Sequence, residues 1–325
     1  MKTLVTGAAG FVGSHLVERL VGRGDDVSVI LYDKDPIQHL DAHLAVTRHV
    51  GDIRDAAFVE RVMEGVDRVF HLAAALNTPT TPVETFFTVN VLGTRNVMEA
   101  AMKKGVKKVV HTSSCVTMKE GRERINESNI HRSPYSAPYT FTKYQGEMVA
   151  YEYGARGLPV TVLNPTIVYG PRDTHTLGEF FKLHLKPKIR LISFLDSPCN
   201  LVYVKDAASA QILAMEKGRP GHKYLIGGEE VTLIEFLKKL DEATGTRRPI
   251  IHVPEWLIEL GVEIVPRLYA LFGKKFTVMR AQVEAMQRGT AVDFTKARTE
   301  LGIPVTPLDV GIRETVQWYK QQGIL

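Results

Sequence analysis

A glycine-rich turn close to the start of the chain limits the possible folds more than any other feature. The strand-like run Lys2–Thr6 leads directly into three glycines spaced three residues apart, Gly7, Gly10 and Gly13. Apolar residues then recur at helical spacing over 12–21. Closely spaced glycines between a strand and a helix let the backbone approach a pyrophosphate, and the helix dipole attracts its negative charge. The turn therefore predicts a dinucleotide site.

The first half of the chain repeats this alternation of apolar runs and amphipathic stretches. It predicts an α/β fold, namely a Rossmann-type doubly wound parallel sheet with helices on both faces. We assign residues 1–168 to this NAD(P)-binding domain, to which the chain returns around 200–228, and 169–325 mainly to a smaller, mixed α/β substrate-binding domain. Strands are expected at 2–6, 27–32, 45–49, 68–72, 108–113, 160–163 and 223–226, with later helices beginning near Asp206, Thr232 and Pro254.

Composition and charge argue against several classes of protein. Among 325 residues, Lys and Arg number 41 and Asp and Glu 36, without a long basic block, so we expect no nucleic-acid partner. The apolar stretch 256–272 contains charged residues and is expected to be a packed helix, not an integral membrane segment. Cys115 and Cys199 suit a reducing, cytoplasmic setting, and because the run from Met1 into 2–6 lacks the pattern of a signal peptide, we expect none. His39 and His43 have no third ligand, so we predict no metal site.

The choice between NAD and NADP depends on the residues that follow the second strand. A carboxylate there accepts hydrogen bonds from the ribose 2′-hydroxyl, whereas a basic side chain neutralises a 2′-phosphate. The sequence offers both, since Asp33 and then Lys34 follow Tyr32. The cofactor is therefore predicted only as NAD(P).

Three residues predict proton-transfer chemistry. Tyr139 and Lys143 are four residues apart and therefore share one face of a helix. A free tyrosine titrates near ~10 and exchanges protons poorly at neutral pH, and the ammonium of Lys143 is expected to lower that pKa. Ser114 ends an apolar strand, where open parallel sheets collect ligands, and its hydroxyl suits a bond to a substrate oxygen. Together the three predict a catalytic set.

These features and four further motifs resemble the extended short-chain dehydrogenases/reductases, the NAD-dependent epimerase/dehydratase family. The motifs are His-Leu-Ala-Ala at 71–74, Asn-Val-Leu-Gly-Thr at 90–94, Asn-Pro-Thr-Ile-Val-Tyr-Gly-Pro at 164–171 and Gly-Arg-Pro-Gly-His-Lys-Tyr at 218–224. The last two are most similar to the branch that contains dihydroflavonol 4-reductase-like proteins and hopanoid-associated sugar epimerase homologues. Asn164 stands where many relatives carry Arg, which removes one reason to expect a nucleotide-diphosphate substrate.

The resemblance implies roles for individual residues and a quaternary structure. Asn90 is expected in the active site with Ser114, Tyr139 and Lys143. A homodimer is expected through helices around 83–102 and 139–153. The residues implied to contact the cofactor are Gly7, Ala9, Gly10, Phe11, Val12, Gly13, Tyr32, Asp33, Lys34, Asp52, Ile53, Leu72, Ala73, Ala74, Thr112, Ser113, Tyr139, Lys143, Pro165 and Val168. Of these, Pro165 and Val168 fit a purely structural role equally well.

Three functions fit these residues. The leading hypothesis is a carbonyl reductase or alcohol dehydrogenase, in which Tyr139 passes a proton and Ser114 steadies the oxygen of a small carbonyl, alcohol or sugar substrate. The second is a sugar epimerase that oxidises its substrate transiently and retains the cofactor. The third is a dinucleotide-sensing regulatory protein, against which the intact catalytic set argues.

Overall fold

A seven-stranded parallel sheet organises the chain. The computed structural model describes residues 1–33, 39–41, 43–76, 81–118, 124–129, 137–174, 178, 180–181, 185, 189–271, 283, 287 and 289–324. The strands of this sheet are β1 (Lys2–Thr6), β2 (Asp26–Leu31), β3 (Thr47–Val50), β4 (Arg68–His71), β5 (Lys108–Thr112), β6 (Val160–Pro165) and β10 (Lys223–Ile226). Their order is β10-β6-β5-β4-β1-β2-β3. All seven carboxyl ends therefore lie along one edge, where open parallel sheets bind ligands.

Helices cover both faces of the sheet. Their bounds are α1 (Phe11–Gly22), α2 (Ala56–Val62), α3 (Val83–Phe87), α4 (Thr94–Lys103), α5 (Pro138–Ala155), α6 (Val204–Lys217), α7 (Leu233–Thr244), α8 (Glu255–Leu271) and α9 (Leu308–Gln321). A π-helical segment, Thr88–Gly93, joins α3 to α4, a 3-10 turn, Cys115–Thr117, follows β5, and a second π-helical segment, Ala297–Leu301, precedes α9.

The alternation of side chains along each strand produces two separate apolar layers. Val5 and Phe70 point to the face covered by α1 and α6. Their neighbours in sequence, Leu4 and Val69, point to the face covered by α2, α4 and α5. Since both faces are buried, the strands are apolar throughout, as is typical of parallel sheets.

The carboxyl-terminal half adds two small sheets. Strands β7 (Ile167–Tyr169), β9 (Pro198–Tyr203) and β11 (Glu229–Thr232) form one in the order β11-β9-β7, and β8 (Arg190–Ile192) pairs with β12 (Ile250–His252). An aromatic cluster that includes Tyr169, Phe236 and Tyr319 packs the three-stranded sheet against α7 and α9. The Thr232 side chain and Glu235 form a capping box that fixes the start of α7.

The predicted fold class is confirmed, with shifts at element ends. The strand expected at 45–49 lies at Thr47–Val50, and the sixth strand continues to Pro165. The stretch 256–272 is helical to Leu271, but Trp256 and Leu260 are exposed, so the expected close packing is wrong for this part of the helix. Among the described residues, no helix combines the length and apolar character needed to cross a bilayer.

Candidate active site

The glycine turn between β1 and α1 has the geometry of a phosphate cradle. Gly7 has a φ of +68°, and a Cβ there would lie 2.7 Å from the amide nitrogen of Ala73. A Cβ on Gly13 would lie 2.0 Å from the carbonyl oxygen of Gly7. The first turn of α1 carries no acidic side chain. Backbone space and helix polarity therefore fit the pyrophosphate of a dinucleotide.

An arginine lies at the ends of β2 and β3, where an adenosine ribose binds in this type of fold. The Arg54 guanidinium donates to the Asp52 carboxylate at 2.6 and 2.8 Å and to the Tyr32 hydroxyl at 3.2 Å. The sequence predicted Tyr32 and Asp52 here but missed Arg54. Asp33 is exposed at the same strand end, and Lys34 lies outside the described residues.

The two predicted catalytic hydroxyls meet at the carboxyl end of β5. Ser114 precedes the 3-10 turn, and its hydroxyl lies close enough to that of Tyr139, near the start of α5, to lower the Tyr139 pKa. The ring of Phe86 packs edge-on against the ring of Tyr139, with 6.2 Å between centroids. The structure thus brings together two residues that are far apart in sequence, at the edge where the glycine turn also lies.

Lys143 lies one turn further along α5, as predicted. Its Nζ donates to the carbonyl oxygen of Thr112 at 2.8 Å, and its side chain is buried. Burial lowers the pKa of Lys143 to about 8, against the opposing attraction of Glu147. The ammonium is therefore charged at neutral pH and loses its proton in mildly alkaline solution.

We expected the ammonium of Lys143 to lower the pKa of Tyr139. This expectation is wrong when only the groups of the protein itself are considered. Burial raises the pKa of Tyr139 to about 12, and the nearby Ser114 hydroxyl only partly offsets this rise. Lys143 is committed to the Thr112 carbonyl, so the cation does not reverse the cost of burying a phenolate. The phenol is therefore protonated across the neutral range.

Asn90 lies in the π-helical segment 88–93 and contacts α5. Its Oδ1 accepts from the Ala75 N–H at 2.8 Å, and its Nδ2 donates to the Thr142 hydroxyl at 3.2 Å. A Cβ on Gly146 would lie 2.4 Å from the Asn90 carbonyl oxygen, so helix and π segment are in close contact. These contacts favour a positioning role for Asn90 over the catalytic one implied by resemblance.

The remaining predicted cofactor residues surround the same edge of the sheet. Phe11, Val12 and Val168 pack on one apolar cluster. The Ala9 carbonyl accepts from the His39 N–H at 3.0 Å, and the Ser113 hydroxyl donates to Glu147 at 2.7 Å. The others occupy strand ends or the turns that follow them: Gly10, Ile53, Leu72, Ala73, Ala74, Thr112 and Pro165.

Comparison with known proteins gives the family. A family model described as the NAD dependent epimerase/dehydratase family matches residues 3–227. Sterol demethylase protein B of Methylococcus capsulatus is 31% identical, with 100% of each chain covered. A putative dihydroflavonol 4-reductase of Synechocystis is 29% identical and covers 98% of this chain and 94% of its own. The crystal structure of gox2253 superposes with a TM-score of 0.85 at 27% identity, over 99% of this chain and 98% of that one.

The matched segment begins in β1 and ends after β10, so it contains the whole parallel sheet, the glycine turn and the Ser114, Tyr139 and Lys143 cluster. The family model thus covers the part of the chain in which the candidate site lies. The chain belongs to the NAD-dependent epimerase/dehydratase family of extended short-chain dehydrogenases/reductases.

Proposed function

We propose that this chain is an NAD(P)-dependent carbonyl reductase or alcohol dehydrogenase with Tyr139 as its proton donor. The observation that carries the proposal is the approach of the Ser114 hydroxyl to that of Tyr139, one helical turn from the buried ammonium of Lys143. Two hydroxyls and a cation at the ligand-binding edge of the sheet match what reduction of a carbonyl requires.

Each residue has a distinct part in the reaction. A bound reduced nicotinamide supplies a hydride to the substrate carbon. Tyr139 donates its phenolic proton to the carbonyl oxygen, for which its raised pKa keeps it protonated. Ser114 donates a hydrogen bond to the same oxygen, and the charge of Lys143 stabilises the phenolate that remains.

We propose an apolar carbonyl or alcohol as the substrate class. Two relatives are named for a sterol and a dihydroflavonol, both polycyclic compounds. Asn164, at the position where many relatives carry Arg, is fully buried, and its amide contacts Ser114, Thr117 and Glu147. This position therefore offers no cation to a nucleotide diphosphate.

The test is oxidation of NADH and NADPH in the presence of a 3-ketosteroid or a dihydroflavonol. Tyr139→Phe is expected to bind the cofactor like the wild type and to lose most of its turnover, about 100-fold or more. Tyr153→Phe is a matched control on the same helix, because that hydroxyl bonds Glu99 away from the site. Unchanged turnover in Tyr139→Phe contradicts the proposal.

A sugar epimerase is the second candidate, because the family description itself includes epimerases. An epimerase uses the same proton transfer but returns the hydride to its substrate. A tightly retained cofactor and turnover without net change in reduced-nicotinamide absorbance support it over the reductase.

We also propose that the chain forms a homodimer through α3, the π segment, α4 and α5. Apolar side chains stand exposed on these elements, with Val83 60% and Phe87 45% exposed, together with Leu92 and Phe141. A monomer rarely leaves such a concentration of apolar area in water.

A further inference from the structure

Glu147 is a buried carboxylate that the proposed reaction does not use. It lies four residues after Lys143 on α5 and is 1% exposed. One oxygen, Oε2, lies within hydrogen-bond distance of three donors: the Ser113 hydroxyl at 2.7 Å, the Thr117 hydroxyl at 2.8 Å and the Asn164 amide at 2.8 Å. A carboxylate taken out of water is costly unless it is paired, so this arrangement requires an explanation.

The partners of Glu147 surround Ser114. Ser113 precedes it, and Thr117 ends the 3-10 turn that follows it. Asn164 Nδ2 and Thr117 Oγ1 also lie 3.1 and 2.9 Å from the Ser114 carbonyl oxygen. Glu147, on α5, therefore holds both ends of the Ser114 loop. It links this loop to the helix that carries Tyr139.

Charged and titratable groups approach this cluster from several elements. Lys143 attracts Glu147 along α5, and the Lys223 ammonium from β10 lies 4.0 Å from Glu147 Oε1. The Tyr151 hydroxyl lies 3.4 Å from the same oxygen. His71 from β4 and His111 from β5 also face Lys143, but burial lowers the pKa of both far enough to keep them neutral. Among these described groups, Glu147 supplies the negative charge that offsets the burial of Lys143.

We infer that Glu147 is a positioning residue, which holds the Ser114 loop against α5 and supplies the negative charge that faces Lys143. The inference rests on the proposed function for its kinetic consequences, but not for its effect on Lys143. A misplacement of Ser114 by about 1 Å is enough to reduce turnover ~10- to 100-fold.

The first experiment compares Glu147→Gln with the wild type. The amide keeps the size of the side chain but removes its charge and one acceptor. We expect kcat to fall ~10- to 100-fold with little change in the KM for the cofactor, because the glycine turn is untouched. Loss of the negative charge destabilises the ammonium, so the alkaline limb of the kcat profile should move to lower pH. Glu152→Gln is the matched control, since that exposed residue on α5 pairs with Arg95.

A second variant separates the positioning of the Ser114 loop from the effect of the Glu147 charge on Lys143. It also remains useful if Glu147→Gln folds poorly. Thr117→Val removes the hydroxyl that lies between Glu147 and the Ser114 carbonyl. We expect a lower kcat with the alkaline limb unmoved. Wild-type kcat in folded Glu147→Gln, or an alkaline limb that moves equally in both variants, overturns the inference.

Titration of lysine labelled with 13C at Cε gives a readout that does not depend on catalysis. In the cofactor-free protein, the Lys143 resonance should titrate at lower pH in Glu147→Gln than in the wild type. Unchanged turnover in Tyr139→Phe refutes the proposed function but leaves this titration standing. An unchanged Lys143 titration refutes the inference even if the protein proves to be a reductase.

Discussion

Replacement of Gly13 by alanine tests whether the glycine turn is as tightly built as its geometry indicates. The new Cβ would lie 2.0 Å from the Gly7 carbonyl oxygen, about 1.4 Å inside the 3.4 Å at which ordinary contact begins. Both atoms are close to the main chain, so no flexible side chain can yield. The amino end of α1 must move away from the turn, which also displaces the amide groups that would face a bound phosphate.

The expected cost combines overpacking with lost binding. Overpacking of this kind destabilises a protein by about 1–3 kcal/mol. We expect NAD(H) and NADP(H) to bind about tenfold more weakly or worse, which corresponds to ~1.4 kcal/mol. Urea unfolding followed by circular dichroism measures the free energy of unfolding, and fluorescence titration of the reduced cofactor measures the affinity.

Gly22 provides a matched control on the same helix. It is exposed, and a Cβ there would meet nothing within 4 Å. Because glycine weakens a helix relative to alanine and Gly22 is the last residue of α1, Gly22→Ala should stabilise the protein by less than about 0.5 kcal/mol and leave cofactor affinity unchanged. Wild-type stability and affinity in Gly13→Ala would refute the account of the turn.

Three further perturbations test other parts of the site. Turnover in the reductive direction should fall above about pH 8, where Lys143 loses its proton, and a rate that stays constant to about pH 10 contradicts this assignment. Arg54→Ala should weaken NADP(H) binding by roughly three- to tenfold and NAD(H) binding less, because the guanidinium lies beside Tyr32, where the adenosine ribose is expected. Fluorescence titration measures both affinities, and equal losses argue against a role of Arg54 in binding the 2′-phosphate. Phe87→Glu should shift the protein from dimer to monomer in sedimentation velocity, and an unchanged sedimentation coefficient places the interface elsewhere.

The fold and the main residues of the candidate site were accessible from sequence because they follow from local patterns. The glycine spacing, the apolar strands and the four-residue separation of Tyr139 and Lys143 can each be recognised within a segment shorter than one crossover unit. Ser114 could be added because a strand end in a parallel sheet has a known position relative to the other strand ends.

The missed residues depend on contacts between elements that are far apart in sequence. Arg54 reaches Tyr32 across 22 residues, and Glu147 meets Ser113 across 34. The spacing of Glu147 from Lys143 was the signal that could have found it, but a carboxylate four residues after a lysine is usually a solvated surface pair. The predicted direction of the Tyr139 pKa shift was also wrong, because burial sets that direction and a pattern of residue types does not show which side chains are buried.

The most direct test of the central claim is the stoichiometry of cofactor oxidation. Reduced cofactor carrying deuterium at the transferable position is mixed with a 3-ketosteroid or a dihydroflavonol, and oxidised cofactor and labelled product are counted together. A reductase predicts one oxidised cofactor for each product molecule, with the deuterium on the former carbonyl carbon. Product formed without net cofactor oxidation would contradict the reductase assignment and establish transient oxidation instead.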